Sequence, residues 1–146
     1  MKKLLTIAFF SAFTFGTSTV VSAQESYAGA LNVFATLGNN SSVSANYEFA
    51  LAKNFTISPE ATIPFDLDYI SAGARVDYYF DSLLNLVEPW DVWAGAGVGF
   101  NIGSDSNNDD LNLNLHIGGE YKFNQTWGLI LEGGNGGGSL GVGIHL

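Results

Sequence analysis

Ser139-Leu140-Gly141-Val142-Gly143-Ile144-His145-Leu146, the last stretch of the chain, decides the fold. Aliphatic residues fill every second position, with small or polar residues between them. In an extended strand successive side chains point to opposite faces. Leu140, Val142, Ile144 and Leu146 therefore form one face, and Ser139, Gly141, Gly143 and His145 the other. A strand with one face in lipid and the other in a polar lumen reads this way. The aliphatic face is expected outward, so the solvent for half of this molecule is hydrocarbon.

Seven more segments alternate in the same manner. Residues 27–37 set Leu31, Val33, Ala35 and Leu37 on one face, with Asn32 and Thr36 on the other. Residues 43–51 set Val43, Ala45, Tyr47, Phe49 and Leu51 against Ser44, Asn46, Glu48 and Ala50. Residues 55–65 set Phe55, Ile57, Ala61, Ile63 and Phe65 against Thr56, Ser58, Glu60 and Thr62. Residues 70–80 carry Ser71, Gly73, Arg75, Asp77 and Tyr79 on the lumen side, and residues 90–100 carry Asp91, Trp93, Gly95, Gly97 and Gly99 there. In 111–123 the apolar set alternates with Asn112, Asn114, His116, Gly118, Glu120 and Lys122; residues 127–133 complete the count. Most segments match the roughly 9–11 residues that a tilted strand needs to cross a bilayer, against roughly 5–6 in soluble sheets. The expectation is an all-β fold: an eight-stranded antiparallel up-and-down transmembrane β-barrel.

The turns alternate between two kinds. Those at 52–54, 81–89 and 124–126 are flanked by Tyr47, Phe49, Phe55, Tyr78, Phe80, Trp90, Tyr121, Phe123 and Trp127. Such aromatics are expected to form a girdle at one membrane interface, here the periplasmic one, with a short helical turn within 82–87. The other set, 38–42, 66–68, 103–110 and 135–138, is polar and Gly-rich, and 135–138 reads as a flexible hairpin loop.

At the amino end, Lys2 and Lys3 precede an apolar run from Leu4 to Phe15, and Val21-Ser22-Ala23 has the form of a cleavage site. Residues 1–23 are expected to be a cleaved signal peptide, and residues 24–146 the barrel domain. No cysteine is present, which excludes disulfides and lipidation at cysteine. Without residues 1–23 the cations are Lys53, Arg75 and Lys122 against fourteen carboxylates, a formal charge of −11 (3 − 14). That balance excludes the basic surface that nucleic-acid binding requires.

Several stretches together carry a family likeness. They are Val76-Asp77-Tyr78-Tyr79-Phe80, Trp90-Asp91-Val92-Trp93-Ala94-Gly95-Ala96-Gly97, Gly119-Glu120-Tyr121-Lys122-Phe123 with Trp127-Gly128-Leu129, and the terminal alternation. With the signal segment, they resemble the small bacterial outer-membrane β-barrel proteins of the OmpA/OmpX-like type. The resemblance implies a cell outer-membrane location in a Gram-negative envelope, contact with outer-membrane lipid, and help from periplasmic chaperones and the barrel-assembly machinery. It also implies a monomer. The chain departs from the family in carrying Leu146 where an aromatic is usual, and the peptidoglycan-binding domain of the larger relatives is not expected.

Residues able to carry chemistry are few. His116 falls mid-strand on the polar face and His145 beside the terminus, neither within a triad or metal-ligand spacing. The segment 105–110 imitates the start of a calcium loop, but the required glycine is Asp110 and the closing glutamate is His116, which excludes that site; looser divalent-cation binding stays open. Gly95, Gly97 and Gly99 recur inside a strand with no helix following, so they are expected to make room for bulky lumen residues rather than to cradle phosphate. No catalytic residue, metal site or cofactor is expected.

The polar face instead offers Glu48, Glu60, Arg75, Asp77, Asp91, His116, Glu120, Lys122 and Glu132 as a lumen network. Counted from the short turns, Glu60, Arg75 and Glu132 share one depth, and Glu48, Asp77 and Glu120 another. Eight strands enclose little more than their own side chains, so these groups are expected to plug the lumen, together with Phe34, Tyr79, Trp93 and Ile130. The expected role is structural: envelope integrity or surface interaction. A narrow ion or small-solute channel is the alternative. A secreted lipocalin-like binder would invert the pattern, and a lipid-modifying barrel enzyme would need a nucleophile–base pair on the outer loops.

Overall fold

The computed structural model of the chain describes residues 29–38, 41–103 and 111–146. The expected signal segment, residues 27 and 28 of the first expected strand, and 104–110 of the acidic loop lie outside the described residues. Eight strands follow one another: β1 (Ala30–Leu37), β2 (Ser42–Tyr47, resuming as Phe49–Ala52), β3 (Phe55–Pro64), β4 (Ile70–Tyr79), β5 (Trp90–Ile102), β6 (Leu111–Lys122), β7 (Trp127–Gly134) and β8 (Gly137–His145). One single-turn helix, α1 (Asp81–Leu84), stands between β4 and β5. Each strand pairs antiparallel with the next, and β8 pairs with β1 through eight residue pairs, so the sheet closes on itself.

The register fixes the stagger of that closure. Asp91 on β5 faces Glu120, which faces Ile130, then Gly141, then Phe34. Phe34 faces Ser44, then come Thr62 and Ser71, and Ser71 faces Asn101, back on β5. One circuit around the barrel thus returns ten residues further along the same strand, from position 91 to position 101. A stagger of this size goes with strongly tilted strands, in the range of about 35–45° from the barrel axis.

Burial follows the alternation, with the apolar face outward. Leu113, Leu115, Ile117 and Leu131 are each more than 60% exposed. Five hydrophobic residues are buried among those described, Ala30, Phe34, Tyr79, Trp93 and Ile130, beside thirteen buried polar or charged ones. A soluble barrel would show the reverse.

Three local features depart from a plain alternation count. β2 breaks at Glu48; Asn46 faces Glu60 and Phe49 faces Ile57, so the pairings missing between them would set Glu48 against Ser58 and Tyr47 against Pro59, which lacks a backbone N–H. The segment expected as a loop at 135–138 is a two-residue turn, Asn135-Gly136, because β7 and β8 stay paired up to Gly134 and Gly137. Asn135 ties that turn to β6: its Oδ1 accepts from Leu115 N at 2.9 Å, and its Nδ2 donates to Leu113 O at 2.9 Å. The helical turn between β4 and β5 begins at Asp81, whose buried side chain accepts from Val92 N at 2.8 Å.

Candidate functional site

Among the described residues, polar groups converge in the lumen, and they are layered along the barrel axis. At the short-turn end, Lys122 Nζ lies 2.7 Å from Asp91 Oδ2, and His145 Nε2 lies 2.8 Å from Glu120 Oε1. Glu120 rests on the backbones of Gly128 and Gly143, where a Cβ at either position would collide with its carboxylate. Above this layer Phe34, Tyr79, Trp93 and Ile130 form a buried cluster, with the Tyr79 and Trp93 rings 5.6 Å apart. Glycines on adjacent strands seat the large rings: Phe34 lies over Gly141 and Trp93 over Gly118, each the direct partner in register.

The next layer is organised by Arg75, which is 6% exposed. Its Nε and Nη2 donate to Asp77 at 2.8 and 3.0 Å, and its Nη2 and Nη1 donate to Glu132 at 2.6 and 3.2 Å. Glu60 approaches Nη1 at 3.7 Å. Trp93 Nε1 also donates to Glu132, at 3.1 Å, joining the ring cluster to the ion pairs. Asp77 meets His116 Nε2, while His116 Nδ1 pairs with Asn114 Oδ1 at 2.8 Å. On the opposite wall Asn32 donates to Glu48 at 2.7 Å and to Asn46 at 3.1 Å, and Asn46 donates to Glu60 at 3.3 Å. Tyr79 Oη donates to Glu48 at 2.8 Å. These contacts make one connected web across the barrel, and a charge-assisted bond within it is worth roughly 1.5–3 kcal/mol.

The structure therefore places Glu48, Glu60, Arg75, Asp77, His116, Glu120, Lys122 and Glu132 all on the lumen side, and it assembles one of the two groups counted from the turns. Arg75 does gather Glu60 and Glu132. Glu48, Asp77 and Glu120 are separated: Glu48 joins Tyr79, Asp77 joins Arg75, and Glu120 joins His145. Equal counts from the turns thus do not decide pairing: Tyr79 Oη is within reach of Glu48, Arg75 of Asp77, and His145 of Glu120. Asn32, Asn46 and Trp93 belong to the web as well; their lumen-side positions in the alternation were the available signal. Asp81, in a turn outside any alternation, gave none.

Beyond Arg75 the lumen opens into a cavity of about 370 Å³. Phe34, Arg75, Glu60, Glu132 and His116 form its floor, and its walls rise through short neutral side chains to Tyr69, Asn101 and Asn112 at the longer-loop end. It is a vestibule with a closed floor.

No family model matches this chain, and no curated protein matches it. Among solved structures, a chain described as "De novo design of transmembrane beta-barrels" superposes with a TM-score of 0.61 at 16% identity, covering 83% of this chain and 98% of that one. The fold is that of a transmembrane β-barrel.

On this barrel the aromatic set gathers around the short turns. Phe55 and Tyr78 pair across β3 and β4 with ring centroids 4.8 Å apart, and Phe80 continues the row at 4.9 Å from Tyr78. Trp90, Tyr121 and Phe123 form a second row at 4.8 and 5.5 Å. Tyr47 and Phe49 lie 4.8 Å apart, and Trp127 is an exposed residue that starts β7.

Proposed function

We propose that this chain is an integral outer-membrane barrel, exported through a cleaved signal segment at residues 1–23, whose role is structural or interactive. The observation that carries this reading is the inverted polarity: an aliphatic outer belt around a lumen closed by the Arg75 web and the ring cluster. A belt of that kind matches lipid, and a lumen sealed at mid-depth matches envelope support or surface contact better than transport. The OmpA/OmpX-like resemblance agrees, placing the short-turn end in the periplasm and assigning biogenesis to periplasmic chaperones and the barrel-assembly machinery. We assign no catalytic role, because His116 is engaged at both ring nitrogens inside the lumen and His145 is engaged by Glu120.

The test is fractionation with gel electrophoresis of unboiled and boiled samples, beside a strain lacking the chain. The expected result is recovery with the outer membrane, faster migration when unboiled, and detergent sensitivity of the deletion strain that the intact gene reverses. Recovery from the soluble fraction would overturn the membrane reading, and a deletion strain indistinguishable from its parent would overturn the envelope role. A narrow conduit is the second reading, favoured by the vestibule that already enters the lumen. Steady conductance in planar bilayers would select it.

A further inference from the structure

The two halves of the lumen use glycine differently. In the short-turn half every inward glycine is covered by a neighbour's bulk, as Gly141 is by Phe34, Gly118 by Trp93, and Gly128 and Gly143 by Glu120. In the other half, Gly97 and Gly99 face the vestibule with no large side chain over them. A Cβ on Gly97 would meet backbone and the Arg75 Cβ at 3.3 Å, and one on Gly99 would meet only Ser71 Oγ at 3.1 Å and a carbonyl at 3.7 Å. The result is open volume above a closed floor, within the size range of small-molecule sites, roughly 300–1,000 Å³.

The chemistry of that volume is selective. Its walls carry hydroxyls and amides, among them Thr36, Ser44, Thr62, Ser71, Asn101 and Asn114. An anion would need a free cation, but the guanidinium of Arg75 is spent on Asp77, Glu132 and Glu60. Lys122 is at the far end of the barrel, paired with Asp91. An organic cation would need a carboxylate free at both oxygens, but Glu132 is bound by Arg75 and Trp93, and Glu60 Oε2 is held by Asn46 and approached by Arg75, which leaves Glu60 Oε1 as a single acceptor at the floor. What is left to recognise a ligand is the Glu60 Oε1 acceptor together with wall hydroxyls and amides that keep a donor or acceptor free, such as Ser44, Thr62, Ser71 and the Asn114 amide N–H groups. That set is the complement of a polyol, whose hydroxyls both donate and accept. The Tyr69 ring at the rim offers apolar surface to sugar C–H groups.

We propose that the vestibule binds a neutral saccharide, free or at the end of a glycan chain, without passing it through the barrel. The proposal rests on the barrel fold and not on the envelope role, so either can fail alone. The test uses the full chain refolded in detergent micelles and labelled with nitrogen-15. It is titrated with glucose, galactose, N-acetylglucosamine, maltose and maltoheptaose, and separately with inorganic phosphate and spermidine.

Saturable signal shifts are expected for Ser71, Asn101 and Asn114 with at least one saccharide, while Asn124 at the opposite end stays fixed. Ser71→Leu, which replaces a hydroxyl and fills space, should weaken that binding about tenfold or more while the unboiled gel shift is retained. Thr62→Leu is the second variant should Ser71→Leu fail to fold. Maltoheptaose binding like maltose identifies a chain-end site; its exclusion while maltose binds identifies a site for free sugars. No saturable shift with any saccharide overturns the proposal, as does a response of the same residues to phosphate or spermidine alone.

Discussion

Arg75→Met removes the hub of the lumen web, and the structure sets the size of the effect. The guanidinium makes four bonds of 2.6–3.2 Å to Asp77 and Glu132 and stands 3.7 Å from Glu60. The methionine roughly keeps the volume over Phe34, where the guanidinium carbon now stands 5.8 Å from the ring centroid, so the change is mainly electrostatic. Asp77 keeps His116 and Glu132 keeps the Trp93 N–H, but neither gains a replacement cation. Removing one partner of a buried ion pair costs about 3–5 kcal/mol, because the other charge is left uncompensated. That is about two to four powers of ten in the folding equilibrium. The assay is urea unfolding in lipid vesicles followed by tryptophan fluorescence, comparing Arg75→Met with the triple variant Arg75→Met, Asp77→Asn, Glu132→Gln. The triple variant should recover most of the loss, since the charges the arginine held are gone with it. An Arg75→Met protein within 1 kcal/mol of the parent, roughly the worth of one exposed pair, would refute the reasoning.

Leu115→Arg on the exposed face should cost about 2–4 kcal/mol in lipid, whereas Asn114→Ser in the vestibule wall should be mild; equal tolerance in the same unfolding assay would reverse the inside–outside assignment. Gly118→Ala should destabilise by about 1–3 kcal/mol through overpacking, because its Cβ would fall 2.8 Å from the Trp93 indole. Gly119→Ala should stay close to the parent, with its nearest atoms at 3.3 Å and 3.8 Å, and a larger loss there than at Gly118 would contradict the seating of Trp93. Liposomes carrying the protein should not swell in neutral sugars, since the vestibule ends at Arg75 and Phe34; steady swelling would mean the floor opens.

The faces were legible because period two survives any tilt or stagger. Leu115 and His116 point to opposite sides whatever the barrel's geometry, and a one-residue error would expose the whole lumen set to lipid. Depth was legible in part: equal counts from the short turns brought Glu60 and Glu132 to Arg75, but not which of the remaining groups pair across the lumen. Asp77 shows the difference. It lies two residues from Arg75 on the same face, a local relation readable in one strand, and its carboxylate binds the guanidinium. Glu48 and Tyr79 meet across the lumen only after the stagger is applied. The break in β2 had a trace in the sequence, Pro59, but reading it required knowing which residue Pro59 would face. The tight turn at Asn135 was hidden by its Gly-rich neighbours, because the side-chain bonds that hold it reach to another strand.

The balance of burial also says what must hold this barrel together. A Leu, Ile or Phe side chain fully removed from water contributes about 1.5–3 kcal/mol, and among the described residues five hydrophobics are buried while thirty large ones are exposed. In water, that leaves a closed ladder of backbone hydrogen bonds around a polar web, with most of the hydrophobic contribution unrealised. Transfer of the outer belt into hydrocarbon supplies what the interior lacks. The same transfer makes closure compulsory, since an unpaired backbone group in hydrocarbon costs several kcal/mol. The β8–β1 seam is therefore as necessary as the lipid, and the alternation that ends at Leu146 serves both. Its aliphatic residues face outward, and its glycines let Phe34 and Glu120 lie flat against the inner wall.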